Sequence, residues 1–151
     1  MASSRYQTPE LNVYCHQRVV DLSPELMLRL ELAGRAALPK ALAVATCPDS
    51  ALSRLDEVEV SIIDDATIAD VHLRFMDIAG ATDVITFDHG EIHISVETAR
   101  SQAAEFGNAF ERELMLYLVH GLLHLAGHED ATDSGRALMD QLQLSILKEV
   151  W

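Results

Sequence analysis

Two histidines, His120 and His124, stand four residues apart in the run HGLLHLAGHED. Residues at this spacing share one face of a helix, so both imidazoles can reach a single ion. Gly127 allows the chain to turn back, and Asp130 then offers a carboxylate as a third ligand. The same histidine spacing also occurs in helices that only pack in a core, but the glycine and the downstream carboxylate favour a metal site.

Three protein ligands that leave a fourth position open are typical of catalytic zinc, which polarises a water molecule for hydrolysis. Peptidases of the zincin type carry a glutamate directly after the first histidine as their general base. Gly121 occupies that position here. A peptidase would need its base from elsewhere, so the sequence favours another kind of metal-dependent hydrolase.

The histidine-bearing helix is predicted from Ala109 to Ala126, and its middle is so continuously apolar that it must be buried on most sides. Such burial would hold a metal ligand rigidly. The clearest strand is Glu57 to Ile63, because Val58, Val60 and Ile62 alternate with polar residues. The chain therefore combines helices with strands.

Shorter patterns predict the remaining elements and the tight turn that joins two of them. They are a strand at Glu10 to Tyr14, a helix from Ser23 that ends or breaks near Pro39 unless Ala41 to Ala45 continue it, a short helix from Asp64 or Asp65, strands at Asp83 to Phe87 and Glu91 to Val96, and a last helix capped by Asp133 or Ser134. Two helical stripes are predicted to face the core. They are Ile68, Val71 and Phe75 in the short helix, and Leu138, Leu142, Ile146 and Val150 in the last one.

Length and charge limit the class of protein. A chain of 151 residues can bury a sizeable core, and we expect one domain over residues 1–151. Its 24 acidic and 11 basic residues give a net charge of −13. Because lysine and arginine supply most nonspecific affinity for phosphate backbones, an RNA substrate would need a local basic groove, a bridging metal or a partner.

The cellular compartment is predicted from three features: secretory signals, membrane spans and disulfide frameworks. No charged segment followed by a long apolar run marks a secretory signal, and the apolar stretches fall short of the roughly 20 residues of a membrane span. Cys15 and Cys47 are too few for a disulfide framework. We therefore expect a soluble cytoplasmic protein.

The run ATDVITFDHGEIHIS at residues 81–95, followed by HGLLHLAGHED at 120–130, resembles the YbeY family of metal-dependent endoribonucleases. Members of that family usually show a PTDVLSF strand, a GDI strand and then HGxLHLxGYDH. The similarity extends upstream to EVEVSIIDD and VHLRFM. The resemblance thus covers most of the chain from about Glu57 onward.

This resemblance implies an α+β fold, with a small mixed sheet of about four strands packed against helices and the metal site on a buried helix. It also implies one Zn²⁺ ion, ribosomal RNA as substrate, the ribosome or its proteins as partners, and a role in rRNA maturation and ribosome quality control. His120 and His124 match the first two metal ligands of the family.

The third ligand departs from the family pattern. Asp130 stands where the family has a third histidine, and His128 stands where it has a tyrosine. Aspartate is a competent zinc ligand, so Asp130 is predicted to bind, with His128 as the alternative. A carboxylate would add negative charge, leaving the ion a weaker Lewis acid.

The expected catalytic residues also depart from it. Met76 occupies the place of a family arginine, so Arg74 would have to bind the substrate phosphate instead. Glu91 replaces the usual aspartate and keeps its charge. We predict catalytic roles for Glu91, Arg74 and Asp83. His89 and Glu129 are alternatives to Glu91 and Asp83 as the general base.

Three functions follow from these observations. The first is a zinc-dependent endoribonuclease acting on rRNA. The second is a ribosome-associated assembly factor with a mainly structural metal, which the negative charge favours because such a protein could dock on basic ribosomal proteins. The third is a metallopeptidase-like hydrolase, which Gly121 disfavours.

Overall fold

The computed structural model describes residues 8–151, in which four strands form one mixed sheet and six helices pack around it. In chain order the elements are β1 (Glu10–Cys15), α1 (Pro24–Ala43), α2 (Ala51–Arg54), β2 (Glu57–Ile63), α3 (Asp65–Met76), β3 (Val84–Phe87), β4 (Glu91–Ser95), α4 (Val96–Phe106), α5 (Phe110–Leu125) and α6 (Asp133–Val150). The predicted α+β class and the mixed four-stranded sheet are confirmed.

The strands lie in the order β1-β2-β4-β3. β1, β2 and β4 are parallel, whereas β3 runs antiparallel to β4 as the first arm of a hairpin. The predicted tight turn is confirmed, with Phe87 paired to Glu91 across it. β3 is therefore an edge strand, and the edge of the sheet that it forms borders a cleft.

The two faces of the sheet bury clusters of different size. The larger contains Val58, Val60 and Ile62 of β2, as predicted, together with residues of α1, α5 and α6. The smaller lies on the other face, where Ile68 of α3 packs with Ile63 and other residues. Most of the burial that stabilises the sheet is thus on the face that carries α5.

Side-chain caps begin four of the helices, including α1, where Ser23 accepts a hydrogen bond from the amide of Leu26. Asp64 accepts a hydrogen bond from the amide of Thr67 at the start of α3. Thr132, rather than Asp133 or Ser134, caps α6 by accepting from the amide of Gly135. At the end of β4 the Ser95 hydroxyl accepts from Thr98, which starts α4 at a position where the sequence predicted more strand.

The structure decides one open alternative about the helices, and one predicted helix feature is wrong. α1 continues through Pro39 to Ala43, because Ala37 and Ala41 on either side are fully buried and this packing outweighs the lost backbone hydrogen bond. Phe75 was predicted to face inward, yet it is 67% exposed. The small second cluster covers only the start of α3, so its last turn lies outside the core.

The stripe of α6 is partly confirmed. Ile146 is buried, and Leu142 and Val150 pack on the core from its margin. Leu138 is 46% exposed, and its neighbour Met139 is buried instead. The buried face of α6 is thus rotated by about one residue at its start.

No helix among residues 8–151 combines the length and apolarity needed to cross a membrane.

α5 approaches the sheet closely at Gly121. A Cβ placed there would lie 2.8 Å from Cγ2 of Ile92, and Ile92 is fully buried on β4. That distance is shorter than carbon atoms tolerate. Glycine lets the helix lie this near the strand without displacing the Ile92 side chain.

We expect Gly121→Ala to destabilise the protein by about 1–2 kcal/mol, because overpacking outweighs the better helix propensity of alanine. Urea denaturation followed by circular dichroism measures this. The double variant with Ile92→Ala should lose less stability than the sum of the single variants. Additive losses would contradict the proposed steric contact.

Candidate metal centre

His120 and His124 lie in the last turns of α5, on the face that opens toward the edge of the sheet. Their rings meet edge to face with centroids 4.6 Å apart, and their Nε2 atoms are 3.0 Å apart. The side chains are 20% and 23% exposed, respectively. A buried helix thus presents two ligand nitrogens to a solvent-accessible point.

The turn after α5 brings Asp130 back to the histidines. Gly127 adopts a left-handed φ of 103°. Its amide donates to the carbonyl of His124, and the amide of His128 donates to that of Leu123, which makes a Schellman ending. Oδ2 of Asp130 then lies 3.6 Å from Nε2 of His120 and 3.9 Å from Nε2 of His124.

These three donors fit a metal ion. Their ligand atoms lie within 4.8 Å of one another, and among residues 8–151 no other set of three or more acidic, histidine or cysteine side chains does so. Tetrahedral zinc with bonds near 2.0–2.1 Å requires donors about 3.3 Å apart. The distances of 3.0, 3.6 and 3.9 Å bracket that value. The nitrogen and carboxylate donors are ones that zinc binds readily.

His128, the alternative third ligand, is directed elsewhere. Its side chain is buried, and Nε2 donates a hydrogen bond to the carbonyl of Val44 at 2.7 Å. The amide and the hydroxyl of Thr46 also donate to the carbonyl of Ala126. His128 therefore fastens the turn to the segment after α1, and the geometry favours Asp130 as the ligand.

Gln143 of α6 orients the first histidine, a role that the sequence analysis missed. Its Oε1 accepts a hydrogen bond from Nδ1 of His120 at 2.8 Å. Protonation of Nδ1 leaves Nε2 free to bind a metal. Gln143 directly follows Leu142 of the apolar stripe, but only the packing of α6 on α5 indicates its partner.

The environment of His124 favours the neutral form of its imidazole. Burial lowers the pKa of its imidazole, and the positive charge of His120 lowers it further, although the carboxylates of Asp130 and Glu129 oppose these effects. Metal ions bind the neutral imidazole, so the lowered pKa favours binding near neutral pH.

The predicted catalytic residues occupy different places. Asp83 lines a cavity of about 250 Å³ together with His120. Its Oδ1 accepts from the amide of Val84 and the hydroxyl of Thr82, which fixes the carboxylate. Of the three predicted residues, Asp83 is the one that shares a cavity with a metal donor.

Glu91 lies at the other end of the β3–β4 hairpin, roughly 13 Å along the strand from Asp83. It precedes Ile92, which faces α5, so alternation places Glu91 on the opposite face of the sheet. There His93 and His89 approach its carboxylate, and the hydrogen bond from His93 lowers its pKa. The structure does not bring Glu91 to the metal donors.

Arg74 is exposed on α3, where its Nε lies 3.4 Å from Asp70. The residue that reaches the centre is Met76, which lines a cleft of about 260 Å³ with His124 and Glu129. Glu129 Oε2 lies 3.9 Å from Nδ1 of His124. The structure thus does not place Arg74 beside the metal donors.

Fold and donor set together define the class: a small α+β protein with a candidate metal site at the edge of its sheet. The family model described as Endoribonuclease YbeY matches residues 29–151. The chain therefore belongs to the YbeY family, and the predicted resemblance is confirmed.

Relatives named Endoribonuclease YbeY support this membership. The one from Desulfitobacterium hafniense is 33% identical over 119 residues, covering 67% of this chain and 76% of that protein. The one from Rhodopirellula baltica is 39% identical over 101 residues, which cover 60% of this chain and 52% of that protein. The chain thus spans about half to three quarters of the length of these two relatives.

A solved structure agrees with the fold. The solution structure of a Thermotoga maritima protein matches 93% of this chain and 89% of that one, with 25% sequence identity and a TM-score of 0.58.

The lowered pKa of His124 predicts how stability changes with pH in the metal-free protein. The folded pKa lies below the unfolded value near 6.5, so the folded state binds fewer protons. The stabilising contribution is present above pH 6.5 and is lost as the pH falls below it. Urea denaturation between pH 7.5 and 5.5 should therefore show a smaller decline in His124→Gln than in wild type. Equal declines would contradict the assignment.

Proposed function

We propose that this chain is a zinc-dependent endoribonuclease that cleaves ribosomal RNA during rRNA maturation, in the cytoplasm and in association with the ribosome, with residues 1–151 acting as one domain. The proposal rests mainly on the convergence of His120, His124 and Asp130 at an accessible cleft in a chain of the YbeY family. The name that its relatives bear, endoribonuclease, supports RNA as the substrate and hydrolysis as the reaction.

The accessibility of the donors favours a catalytic metal over a structural one. Structural zinc sites are closed by four protein ligands, whereas catalytic sites keep one position open. Here three donors converge, and the side chain of Asp130 is 44% exposed. An assembly factor with a buried structural metal would not need this opening.

A peptidase activity is disfavoured by packing as well as by sequence. A glutamate at position 121 would have to displace the buried Ile92 side chain, because its Cβ would lie 2.8 Å from Cγ2 of Ile92. Packing against β4 therefore opposes the usual base of zincin peptidases at this position of α5.

A zinc ion bound at this centre would supply a Lewis acid that polarises water and the phosphodiester. The side chains of the protein would position the metal ligand and the proton acceptor. Gln143 holds His120 in the tautomer that leaves Nε2 available. Asp83, fixed by the amide of Val84, is our candidate for the group that accepts the proton of the attacking water.

Arg74 remains our candidate for binding the RNA backbone away from the cleft. Its ion pair with Asp70 involves side chains that are 70% and 62% exposed, so a substrate phosphate can displace the aspartate. The excess of acidic residues makes such local cations, and the metal itself, the main attraction for RNA. Glu91 lies outside this arrangement, and its predicted catalytic role lacks support from the geometry.

Elemental analysis of the purified protein tests the metal centre. We expect close to one zinc per wild-type chain, and loss of that zinc in His120→Ala, His124→Ala and Asp130→Ala. His16→Ala, which changes an exposed histidine outside the donor set, is the matched control and should retain the metal. Absence of metal from reconstituted wild type would overturn the proposed mechanism.

Cleavage of single-stranded RNA tests the role of Asp83. Asp83→Asn keeps the size of the side chain and an oxygen for the amide of Val84, but it removes the base. We expect kcat to fall by roughly a hundredfold or more while the zinc content stays unchanged. Asp21→Asn, an exposed position before α1, serves as the control. Undiminished cleavage by Asp83→Asn would exclude Asp83 as the base.

A further inference from the structure

The two edges of the sheet differ in how their outward backbone groups are satisfied. On β1, at one edge, the amide of Val13 donates to Oε1 of Glu31 at 3.0 Å. The carbonyl of Leu11 accepts from Nε of Arg35 at 2.9 Å. Side chains of α1 therefore occupy outward groups of β1, and covering an edge in this way protects it from pairing with another chain.

The other edge, formed by β3, lacks such a cover. The carbonyls of Asp83 and Phe87 accept hydrogen bonds from the following arm and turn of the hairpin, so alternate residues of β3 face β4. Val84 and Thr86 therefore direct their backbone groups outward. The amide of Val84 donates to Oδ1 of Asp83 at 2.8 Å. The hydrogen bonds of residues 8–151 leave the amide and carbonyl of Thr86 unpaired.

This outward side of β3, which we name the β3 edge, borders the metal cleft. Val84 and Thr86 line the cleft of about 260 Å³, together with His124 and Glu129. Thr86 is half-buried, so its backbone can be approached from the cleft. Neighbouring strands lie about 4.8 Å apart. A strand added to the β3 edge would therefore occupy the cleft beside the metal donors.

The charges around the β3 edge restrict which chain can pair with it. The four residues VITF of β3 contain neither a charge nor a proline that would block pairing. Asp83 and Asp88 flank the strand at its two ends, and Glu129 lines the same cleft. A second copy of this chain, with its net charge of −13, would bring the same acidic groups and be repelled. A basic segment would be attracted.

The two faces of an added strand would meet different surfaces, because alternate side chains point to opposite faces of a sheet. On the face that carries α5, the added side chains would lie beside Glu129. On the other face, which carries the smaller core cluster, they would lie beside Phe87 and Phe75. These two rings meet edge to face with centroids 5.4 Å apart. A segment that alternates basic and apolar residues fits both faces.

We propose that the β3 edge binds an extended basic segment of a partner protein, which adds a fifth strand to the sheet. The amide and carbonyl of Thr86 and the carbonyl of Val84 supply the hydrogen bonds. In this mode of recognition, main-chain hydrogen bonds provide affinity and alternate side chains provide specificity. The interaction does not depend on the proposed cleavage of RNA.

Peptide binding tests this proposal. The probes are three hexapeptides of alternating lysine and valine with blocked ends: one unmodified, one N-methylated at every lysine and one N-methylated at every valine. In an added strand the amides of one set face β3 and those of the other face solvent. N-methylation of one set should therefore weaken binding to the purified protein roughly tenfold or more, and N-methylation of the other should change it little. Equal affinities of the three peptides, measured by NMR titration, would overturn the proposal.

Hydrogen exchange locates the bound strand. We expect the unmodified peptide to slow exchange of the Thr86 amide at least tenfold, because that amide gains an acceptor. The amide of Ile85, which faces β4, should change little and is the internal control. Saturable peptide binding with unchanged exchange at Thr86 would overturn the proposal. Protection of Thr86 by oligouridine and not by the peptide would assign the edge to RNA and also overturn it.

Substitutions test the charge and the backbone contact separately. Asp88→Asn and Glu129→Gln should each weaken binding of the unmodified peptide severalfold. Glu111→Gln, an exposed acidic position in the first turn of α5, is the matched control and should retain the affinity. Unchanged affinity in both cleft variants, or an equal loss in the control, would overturn the selection by local charge.

Thr86→Pro removes the outward amide and leaves the hydrogen bonds between β3 and β4 in place, so it should bind the peptide roughly tenfold more weakly. Its melting temperature reports whether the fold is retained. A folded Thr86→Pro variant with wild-type affinity would overturn the backbone contact. If the variant does not fold, the N-methylated peptides decide the same point on the wild-type protein.

Discussion

The close approach of α5 to β4 is the constraint on which the rest of the structure depends. Gly121 permits the helix to lie close against β4 without displacing the buried Ile92 side chain. That depth determines where His120 and His124 emerge relative to the sheet edge. Ligand sites tolerate displacements of only about 0.5 Å, so a small outward shift of the helix would separate donors that now lie within one ion's reach.

Much of the fold could be predicted because the spacing of apolar residues follows the buried face of each helix or strand. The alternation in β2 and the apolar run of α5 gave both elements with nearly correct bounds. Periodicity alone gives wrong burial where the element that packs against a helix does not extend along its whole length. Phe75 continues an apolar stripe beyond the cluster that covers it, and Leu138 precedes the turn at which α6 reaches the core.

The candidate site was predictable to the extent that it is local in sequence. His120, His124 and Asp130 lie within eleven residues of one another, and Gly127 explains how they meet. Gln143 was missed because its role depends on the packing of a second helix. The roles of Asp83 and Glu91 could not be separated before the strand register placed them at opposite ends of a hairpin.

The fastening of the ligand turn to the segment after α1 has a consequence for the whole chain. His128 and Thr46 join residues about eighty positions apart, directly beside Asp130. An ion that immobilises Asp130 thereby also immobilises the end of α1 against α5. Metal binding at this centre and the docking of the end of α1 would thus be thermodynamically linked, and the free energy of unfolding would rise as the free ion concentration exceeds the dissociation constant.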